Sequence, residues 1–357
     1  MLILVINPGS TSTKVAIFDG DKKIVQKSLR HDIKELEKFD DIMEQEELRK
    51  KAIIDFVKEE GYDIADFSAI ACRGGILPPL QSGTYEVTAE MVDYLKFKTP
   101  VKHASNLAAV IGYSISNGSI PVFITDPVSV DEMVEEARLS GIPEISRRSL
   151  AHALNIKAVA REVAKELGKK YEDLNMVIAH LGGGISVTAH EKGKMIDVNN
   201  ANDEGPFSPE RTGELPVGDV IRLCFSGKFT RNEIKKMFVG KGGVVAYLGT
   251  NNMQEAIEMA KKDEKAKLVV DAMAYQIAKE IGGMCSVLKG KVDAIVITGG
   301  IAHNTKFVEK IKCYVYKFAP VFNVPGEFEM EALAKGALRV LKGEETAKKW
   351  GEMYETA

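Results

Sequence analysis

The segment INPGSTSTK, residues 6–14, combines residue types that could bind an anion. A Pro-Gly pair breaks an apolar strand, and the turn that follows offers the hydroxyls of Ser10 and Ser12, several backbone N–H groups and the charge of Lys14. Hydroxyls and main-chain N–H groups around a turn can cradle oxyanions. Because any hairpin can carry polar turn residues, this segment alone leaves both a phosphate site and a plain turn open.

Two glycine clusters follow apolar runs. HLGGGIS carries Gly182, Gly183 and Gly184, where missing side chains would let a ligand approach the backbone. DAIVITGGIAHN ends an apolar strand in Gly299 and Gly300, at the kind of strand end where open α/β sheets usually bind ligands. Neither fits the P-loop spacing, and HLGGGIS lies between two strands, where a dinucleotide fingerprint would need a helix. Plain turns are the alternative for both.

The elements that must position these loops occur twice along the chain. LILVI, NPGSTST, KVAIF, DGDKK and IVQKSL predict strand, loop, strand, turn and strand. MVIAH, LGGG, ISVTAH, EKGK and MIDVN repeat that order later. A strand meander that leads into alternating helices and strands predicts an α/β fold with a mixed sheet flanked by helices in each half.

The remaining periodic segments complete this organisation. Helical patterns occur at 45–59, 104–116, 151–167, 254–261 and 264–288, and strand patterns at 67–72, 121–125 and 293–298. We expect two domains, residues 1–160 and 161–334, with a C-terminal helix at about 335–357 that packs back onto the first domain or forms a surface tail around Trp350. Duplicated domains predict an active-site cleft between them.

The overall composition favours small-molecule ligands. The chain has 357 residues, of which 45% are hydrophobic, enough for a sizeable core. Its 48 Lys and Arg nearly balance its 51 Asp and Glu, which predicts neither nucleic-acid nor membrane binding. No secretory or membrane-spanning pattern is present, so we expect a cytoplasmic protein with reduced, buried thiols at Cys72, Cys224, Cys285 and Cys313.

The order and spacing of the motifs resemble a known superfamily. A Ser/Thr hairpin, a Gly-rich hairpin and a strand that ends in TGG are similar to the two phosphate segments and the adenosine segment of the acetate and sugar kinase/Hsp70/actin superfamily. Together INPGSTSTK, RGG, HASN, TDP, GPFSPERTG and SGKFT resemble the butyrate kinase and branched-chain fatty-acid kinase branch of the acetokinase family. The resemblance spans nearly the whole chain and implies two ribonuclease H-like domains.

The resemblance implies roles for individual residues. Asn7 matches the asparagine near the Mg-bound phosphates, and Ser10, Ser12 and Lys14 share its loop. His152 in SLAHALN is similar to the active-site histidine of the FHG segment. Arg211 in PERTG resembles the second active-site arginine, and Asp126 in TDP resembles an active-site aspartate.

Two matches depart from the family pattern. Acetate kinases carry an arginine several residues before two glycines, in HRVVHGG, whereas ACRGG places Arg73 immediately before Gly74. We expect Arg73 to hold the substrate carboxylate. The acidic residue near Mg is ambiguous in GEFEMEALAKGA, and we favour the second of three candidates, Glu327, Glu329 and Glu331.

The other histidines divide into three groups. His103 in HASN resembles a histidine near the cleft, with Asn106 one helical turn beyond it, and both are candidates for substrate binding. For His180, a packed, hydrogen-bonded side chain and a catalytic one are both open. The remaining three are expected at the surface, namely His31, His190 and His303.

The family implies an Mg-dependent transfer of phosphate between ATP and a short or branched fatty acid. Arg73 would orient the carboxylate, while Arg211 and His152 would donate to the moving phosphoryl group. Asn7 and Glu329 would position Mg. The nucleotide phosphates and the adenosine would lie against two loops, Gly182, Gly183 and Gly184 for the former and Gly299, Gly300 and Ile301 for the latter.

Other functions remain open at this stage. Acetate or propionate could be the acid, because acids that differ by a methylene are separated by only ~1–3 kcal/mol in an apolar pocket. An actin-like or Hsp70-like ATPase would need insertions or a client-binding appendage, for which 357 residues leave little room. The family also implies a homo-oligomer, a dimer or larger.

Overall fold

Residues 1–351 are described by the computed structural model, and their strands form two mixed sheets. In chain order the strands are β1 (Leu2–Pro8), β2 (Ser12–Asp19), β3 (Lys22–Arg30), β4 (Ala69–Cys72), β5 (Thr84–Glu86), β6 (Val122–Thr125), β7 (Asn175–Leu181), β8 (Ile185–Glu191), β9 (Lys194–Val198), β10 (Ala294–Gly299), β11 (Val321–Pro325) and β12 (Lys348–Lys349). The three strands predicted singly from periodicity are confirmed as β4, β6 and β10.

The helices confirm the five helical patterns of the sequence. In chain order they are α1 (Ile33–Leu36), α2 (Glu46–Glu59), α3 (Ala89–Asp93), α4 (Asn106–Ser116), α5 (Glu135–Arg138), α6 (Ala153–Glu166), α7 (Val217–Cys224), α8 (Arg231–Phe238), α9 (Val244–Leu248), α10 (Met253–Met259), α11 (Glu264–Val287), α12 (Thr305–Val315) and α13 (Glu329–Leu341). Short 3₁₀ turns occupy Ile42–Gln45, Ile64–Asp66, Tyr171–Asp173 and Gly300–His303, and a π turn occupies Tyr94–Lys98. No helix within residues 1–351 is long and apolar enough to cross a membrane.

The chain divides into two compact units, each built around one sheet. The first consists of Met1–Val130 and the segment that begins at Phe328, and the second of Asp131–Glu327. The sequence predicted domain boundaries after residues 160 and 334. Both boundaries between the units therefore lie earlier in the chain than the sequence suggested.

Both sheets repeat the same topology, which confirms the predicted duplication. In the first sheet the order is β12-β5-β6-β4-β1-β2-β3, with β1, β2 and β3 in an antiparallel meander and β4 parallel to β1. In the second the order is β11-β10-β7-β8-β9, with β7, β8 and β9 in a meander and β10 parallel to β7. Strands β1, β4, β6, β7 and β10 are largely apolar because both of their faces are covered.

Helices α4 and α13 cover opposite faces of the first sheet. A Cβ added to Gly112 of α4 would lie 2.4 Å from Cys72 Sγ and 3.1 Å from Val122 Cγ1. A Cβ added to Gly336 of α13 would lie 2.1 Å from Thr125 Oγ1. Val122 and Thr125 are three residues apart on β6, so their side chains point to opposite faces. Both helices reach the sheet closely because glycine stands at the contact.

Helices α11 and α6 cover opposite faces of the second sheet. Val177 and Ala179 of β7 belong to one buried apolar core with Ile277 of α11. His180, the next residue along β7, instead bonds to Asn155 of α6. The alternation along a single strand therefore separates an apolar face from one that carries polar groups.

The C-terminal segment differs from the predicted helix at 335–357. Helix α13 begins earlier, at Glu329, and ends at Leu341, and the chain then adds β12 parallel to β5. Trp350 packs against Tyr94, with ring centroids 5.2 Å apart. Residues 352–357 of that prediction lie outside the described part of the chain.

Two predictions about surface and buried residues are partly wrong. His303 is exposed as expected, but His31 is half-buried and His190 is fully buried. Cys72 and Cys285 are buried thiols, whereas Cys224 and Cys313 are exposed. The side chains of β8 point alternately to the two faces of the sheet. The face that carries His190 is covered by a second packed layer, which the sequence of one strand alone does not reveal.

His190 is held as the neutral imidazole by its neighbours. The Thr188 hydroxyl donates to the Ile178 carbonyl, so it accepts from His190 Nε2–H at 2.7 Å. Nδ1 then accepts from the Tyr171 hydroxyl at 2.5 Å. Burial first, and then the charges of Lys157 and Arg161, keep the pKa of His190 well below its usual value, against the opposing charge of Glu132.

We predict that Gly336→Ala destabilises the protein because its methyl group would meet Thr125 Oγ1 and push α13 off the sheet. Overpacking of this kind costs about 1–3 kcal/mol. Gly283→Ala in α11 is the matched control, since Gly283 has nothing within 4 Å of an added Cβ. That change should stabilise the helix by up to about 1 kcal/mol. Urea unfolding of both variants measures the difference, and equal stabilities would contradict the packing described for α13.

We predict that the protein loses stability as the pH falls below about 6.5, because unfolded His190 binds a proton that the folded state excludes. The folded pKa is lowered, so stability rises with pH through this range and is lost on acidification. One excluded proton gives a slope of about 1.4 kcal/mol per pH unit. His190→Gln should remove that part of the slope in urea titrations at pH 5 to 7. An unchanged slope would show that His190 titrates freely.

Candidate active site

The polar residues of the first unit gather at one end of its parallel strands. β1 and β4 are neighbours in register, with Ile6 opposite Cys72, so Asn7 and Arg73 emerge together. The first turn of α13 adds Glu329, whose Oε2 accepts from Asn7 Nδ2 at 2.8 Å and whose Oε1 forms an ion pair with Arg73 Nη1. Residues 322 positions apart in the chain thus share one cluster.

Glu329 is ionised in this cluster. Burial alone would raise the pKa of its carboxyl, but the charge and hydrogen bond of Arg73, followed by Asn7 and Lys14, hold the pKa below its usual value. Of the three glutamates considered from the sequence, Glu331 instead pairs with Lys23 at 2.8 Å. The structure therefore brings Glu329, and with it the charge of Lys14, to Asn7.

His103 lies on the loop that precedes α4 and Asn106 is the first residue of that helix, and the two differ in what they can offer. His103 Nδ1 accepts from the Ser105 N–H at 3.2 Å, which leaves Nε2 to carry the proton. Burial and then the charge of Arg73 lower the pKa of His103. Asn106 accepts from the Ile76 N–H at 2.8 Å and donates to the Val101 carbonyl at 2.9 Å. Both ends of its amide hold main chain, which favours a structural role.

Asp126 is almost fully buried at the end of β6, in the left-handed region with φ 40°. Its Oδ1 accepts from the Gly83 N–H at 2.8 Å, and its own N–H donates to the Gly83 carbonyl at 3.1 Å. A Cβ on Gly74 would lie 2.3 Å from Pro127 Cβ, so the loops after β4 and β6 are in contact. Asp126 therefore sits beside the Arg73 loop and braces it.

The loop between β1 and β2 places its hydroxyls outward. Gly9 N–H donates to the Ser12 carbonyl at 2.7 Å and closes the turn. Ser10 and Lys14 are exposed, and Ser12 is half-buried. Beneath the turn lies a residue that sequence reasoning missed, Arg49 of α2, which donates to the loop carbonyls.

The glycine loop of the second unit lies against Arg211. A Cβ on Gly184 would be 2.2 Å from Arg211 Nη1, so only glycine leaves room for the guanidinium. Nη1 donates to the Ala201 carbonyl at 3.1 Å, while the buried Nε has no hydrogen-bond partner among the described residues. Burial lowers the pKa of Arg211, and the charges of Glu210 and Asp203 oppose that effect. A buried donor without a partner is what an incoming anion would satisfy.

Ser208 links the two halves of this loop site and was missed by sequence reasoning. Its hydroxyl donates to the Gly183 carbonyl at 2.6 Å and accepts from the Arg211 N–H at 3.1 Å. Gly182 N–H closes the turn onto the Gly184 carbonyl at 3.1 Å. The signal for Ser208 was its place three residues before Arg211 in GPFSPERTG, a motif that sequence reasoning used only for its arginine.

His152 and His180 form one stacked pair in the second unit. Their ring centroids are 4.1 Å apart and 14° from parallel. His152 Nδ1 bonds to Ser186 Oγ at 3.0 Å, and His180 Nδ1 accepts from Asn155 Nδ2 at 2.9 Å. Asn155, three residues after His152 in α6, also reaches Thr298 Oγ1 at 3.4 Å. His180 is thus a packed, hydrogen-bonded residue that orients His152.

The end of β10 provides open backbone. Gly299 has φ 93°, and a Cβ there would lie 2.3 Å from the Leu181 carbonyl oxygen. The parallel pairing of β7 and β10 therefore requires glycine at this position. Gly300 has nothing within 4 Å of an added Cβ. Ile301 is half-buried and packs on the apolar core of the unit. A flat ligand could lie on the Gly300 backbone.

The donors at Asn7 and Glu329 suit a hard cation. No group of three or more His, Cys, Asp or Glu among residues 1–351 is arranged to hold a metal. Mg²⁺ uses one or two protein oxygens, several waters and substrate phosphates. A partly buried, ionised carboxylate bonded to an amide fits that pattern.

Comparisons with known proteins agree with this fold. The pattern described as the acetokinase family matches residues 86–332. The chain is 60% identical over 354 residues to "Probable butyrate kinase 1" of Thermotoga maritima, covering 99% of both, and 52% identical over 351 residues to "Butyrate kinase 2" of Clostridium acetobutylicum, covering 98% of this chain and 99% of that one. The crystal structure of acetate kinase from Porphyromonas gingivalis covers 95% of this chain and 99% of its own, with a TM-score of 0.79 at 19% identity, and so shows the shared fold. This chain belongs to the acetokinase family.

Proposed function

We propose that this protein transfers the terminal phosphoryl group of ATP to the carboxylate of butyrate or a similar short or branched fatty acid, giving an acyl phosphate and ADP. The observation that carries the proposal is 60% identity, across 99% of both chains, to a relative named for butyrate kinase. The anion-binding geometry of both units supports it.

The chemistry needs no general base. A short carboxylic acid with a pKa near ~4–5 is ionised at neutral pH, so its oxygen can attack the terminal phosphorus directly. The new bond joins that oxygen to phosphorus, and the bond to the bridging oxygen of ATP breaks. The electron pair leaves with ADP. What the protein must supply is placement and positive charge around a loose, metaphosphate-like group.

In the first unit, Arg73 would bind the acid and Glu329 would set its position. In the structure the Arg73 guanidinium already pairs with the Glu329 carboxylate. A substrate carboxylate would use the remaining donors of the same fork. His103 would add a neutral Nε2–H donor near this charge. Asp126 acts through the Gly83 contact, which holds the neighbouring loop.

In the second unit, Arg211 and the glycine loop would meet the phosphates. The Nε of Arg211, which has no hydrogen-bond partner within residues 1–351, would give one donor, and His152, fixed by Ser186 and His180, would give another. Donors that are held in place before charge develops need no reorganisation when it does. Gly182, Gly183 and Gly184 would approach the nucleotide phosphates, and Gly299, Gly300 and Ile301 would flank the adenosine.

Asn7 and Glu329 would hold Mg²⁺ through oxygen atoms and water. When bound, Mg²⁺ would neutralise negative charge on the nucleotide phosphates. We also propose a cytoplasmic homo-oligomer, a dimer or larger, as the family resemblance implies.

We predict turnover of C4 acids, straight or branched, in a coupled ADP-release assay with ATP, Mg²⁺ and acids from C2 to C6. An acid pocket sized for butyrate should favour C4 over acetate by more than tenfold in kcat/KM, since each lost methylene costs ~1–3 kcal/mol. Preference for C2 or C3 would identify the alternative, an acetate or propionate kinase. If the protein phosphorylates none of these acids, the proposed function is contradicted and an ATPase of the actin or Hsp70 type is favoured.

We predict that two arginine substitutions change different kinetic constants. Arg73→Ala should mainly raise the KM of the acid, because Arg73 holds the ground-state carboxylate. Arg211→Ala should lower kcat by ~10²–10³, the usual loss when a donor to the transferring group is removed. The KM of ATP should move little in either variant, because backbone groups hold much of the nucleotide. Steady-state kinetics with both substrates varied measures kcat and both KM values for each variant.

Each arginine has a matched control. Arg339 pairs with Glu345 at the far end of α13, with side chains 22% and 21% exposed, against 20% and 25% for Arg73 and Glu329. Arg138 pairs with Asp131 in the second unit. Arg339→Ala and Arg138→Ala should leave the kinetic constants near wild type. An unchanged kcat in folded Arg211→Ala, checked by circular dichroism, would show that its proposed role is wrong.

A further inference from the structure

Arg49 is the most buried charged residue of the first unit and has no place in the roles assigned so far. It lies on α2, is 0% exposed, and makes six hydrogen bonds. Nη1 donates to the carbonyl oxygens of Gly9 and Ser12 at 2.9 and 3.3 Å, and Nη2 to that of Ser10 at 2.8 Å. Three of its acceptors thus belong to one turn, the loop between β1 and β2.

The remaining acceptors hold the guanidinium itself. Gln45 Oε1 accepts from Nε at 3.1 Å and from Nη2 at 2.9 Å. Nη1 also donates to Thr13 Oγ1 at 3.1 Å, so the Thr13 hydroxyl is left to donate to His31 Nε2, 2.9 Å away. Burial, followed by the charge of Arg49, lowers the pKa of His31, which keeps that ring neutral and able to accept.

The acceptors of Arg49 include carbonyls, an amide and a hydroxyl but no carboxylate. Burial lowers the pKa of Arg49 to about 10, and no acidic group in the described part of the chain offsets it. The side chain is therefore still protonated at neutral pH, and its charge is not neutralised locally. A buried cation without a counter-charge is costly to desolvate. Low-dielectric surroundings also strengthen its attraction for an anion that binds nearby.

Drawing the carbonyls of Gly9, Ser10 and Ser12 to one side has a consequence for the other side of the turn. A peptide group carries its N–H opposite its C=O, so the N–H groups that follow those carbonyls are turned away from Arg49. Ser10 and Thr11 of this turn are exposed and add two hydroxyls. A turn held in this way presents donors outward with a positive charge behind it, which is the arrangement that binds polyphosphate.

We propose that Arg49 is the positioning residue for nucleotide phosphates in the first unit: it fixes the carbonyls of Gly9, Ser10 and Ser12 inward, so that the opposite side of the loop binds the phosphates of ATP. This inference rests on the proposed function, because it assigns the loop to ATP. It adds a role to a residue that does not touch the substrate.

Arg49→Met tests the proposal by removing the charge and every donor while keeping most of the volume. The KM of ATP should rise about tenfold or more, the factor expected when a charged hydrogen-bond network is lost, and the KM of the acid should stay within about twofold. Amide hydrogen exchange of the ligand-free protein should become faster at Gly9–Thr13. A folded Arg49→Met with wild-type ATP KM and wild-type exchange in the loop would overturn the proposal.

Two further variants keep the test decisive. Ile53→Ala lies one turn further along α2 and removes an equally buried side chain, so it should lower the melting temperature without changing either KM. If Arg49→Met does not fold, Arg49→Lys keeps the charge but not the planar fork, and should show intermediate loop exchange and ATP KM. Wild-type values for Arg49→Lys, or a KM effect in Ile53→Ala as large as that in the Arg49 variant, would count against a positioning role.

The result separates the two levels of inference. If the wild-type protein phosphorylates no acid, the proposed function is contradicted. Loop exchange is measured without any substrate, so it reports on Arg49 whether or not that activity is found.

Discussion

The structure depends on one constraint, which is that the central strands of both sheets are covered on both faces. Ile3 to Ile6 of β1 and Met176 to Ala179 of β7 are fully buried, so these strands can carry no charged group within their length. In β1 and β7 the polar side chains therefore lie at the strand ends. Asn7, His180 and Thr298 lie one residue before such an end, and Arg73 and Asp126 lie one residue after it. Parallel pairing brings neighbouring ends together.

The two units solve the same electrostatic problem with different side chains. A loop that binds anions must face its N–H groups toward the ligand, and its carbonyls then need donors elsewhere. In the first unit the guanidinium of Arg49 supplies these donors, and in the second the hydroxyl of Ser208 does so for Gly183. The repeat in the sequence is a repeat of strands and loops. The groups that hold those loops come from non-repeated segments.

Local patterns predicted much of this organisation, and long-range contacts account for what they missed. Alternation and glycine placement predicted both meanders, β10 and its Gly299, because those features depend on neighbouring residues. Family resemblance placed Glu329 beside Asn7. The burial of His190 could not be predicted, since β8 gains its second layer from α6 and Tyr171. Arg49 was missed because an arginine in an amphipathic helix is usually exposed, and only the fold shows which carbonyls it meets.

The return of the chain to its first sheet affects how the protein is made. Helix α13 covers the face of that sheet that includes Thr125, and it is translated after the whole of the second unit, Asp131–Glu327. The second unit is continuous in sequence, so it can fold as soon as it has left the ribosome. The first unit must wait with an uncovered apolar face until the last segment emerges. The half of the enzyme that is synthesised first is thus the last to be completed, and a chain released early would carry a finished second half and an incomplete first one.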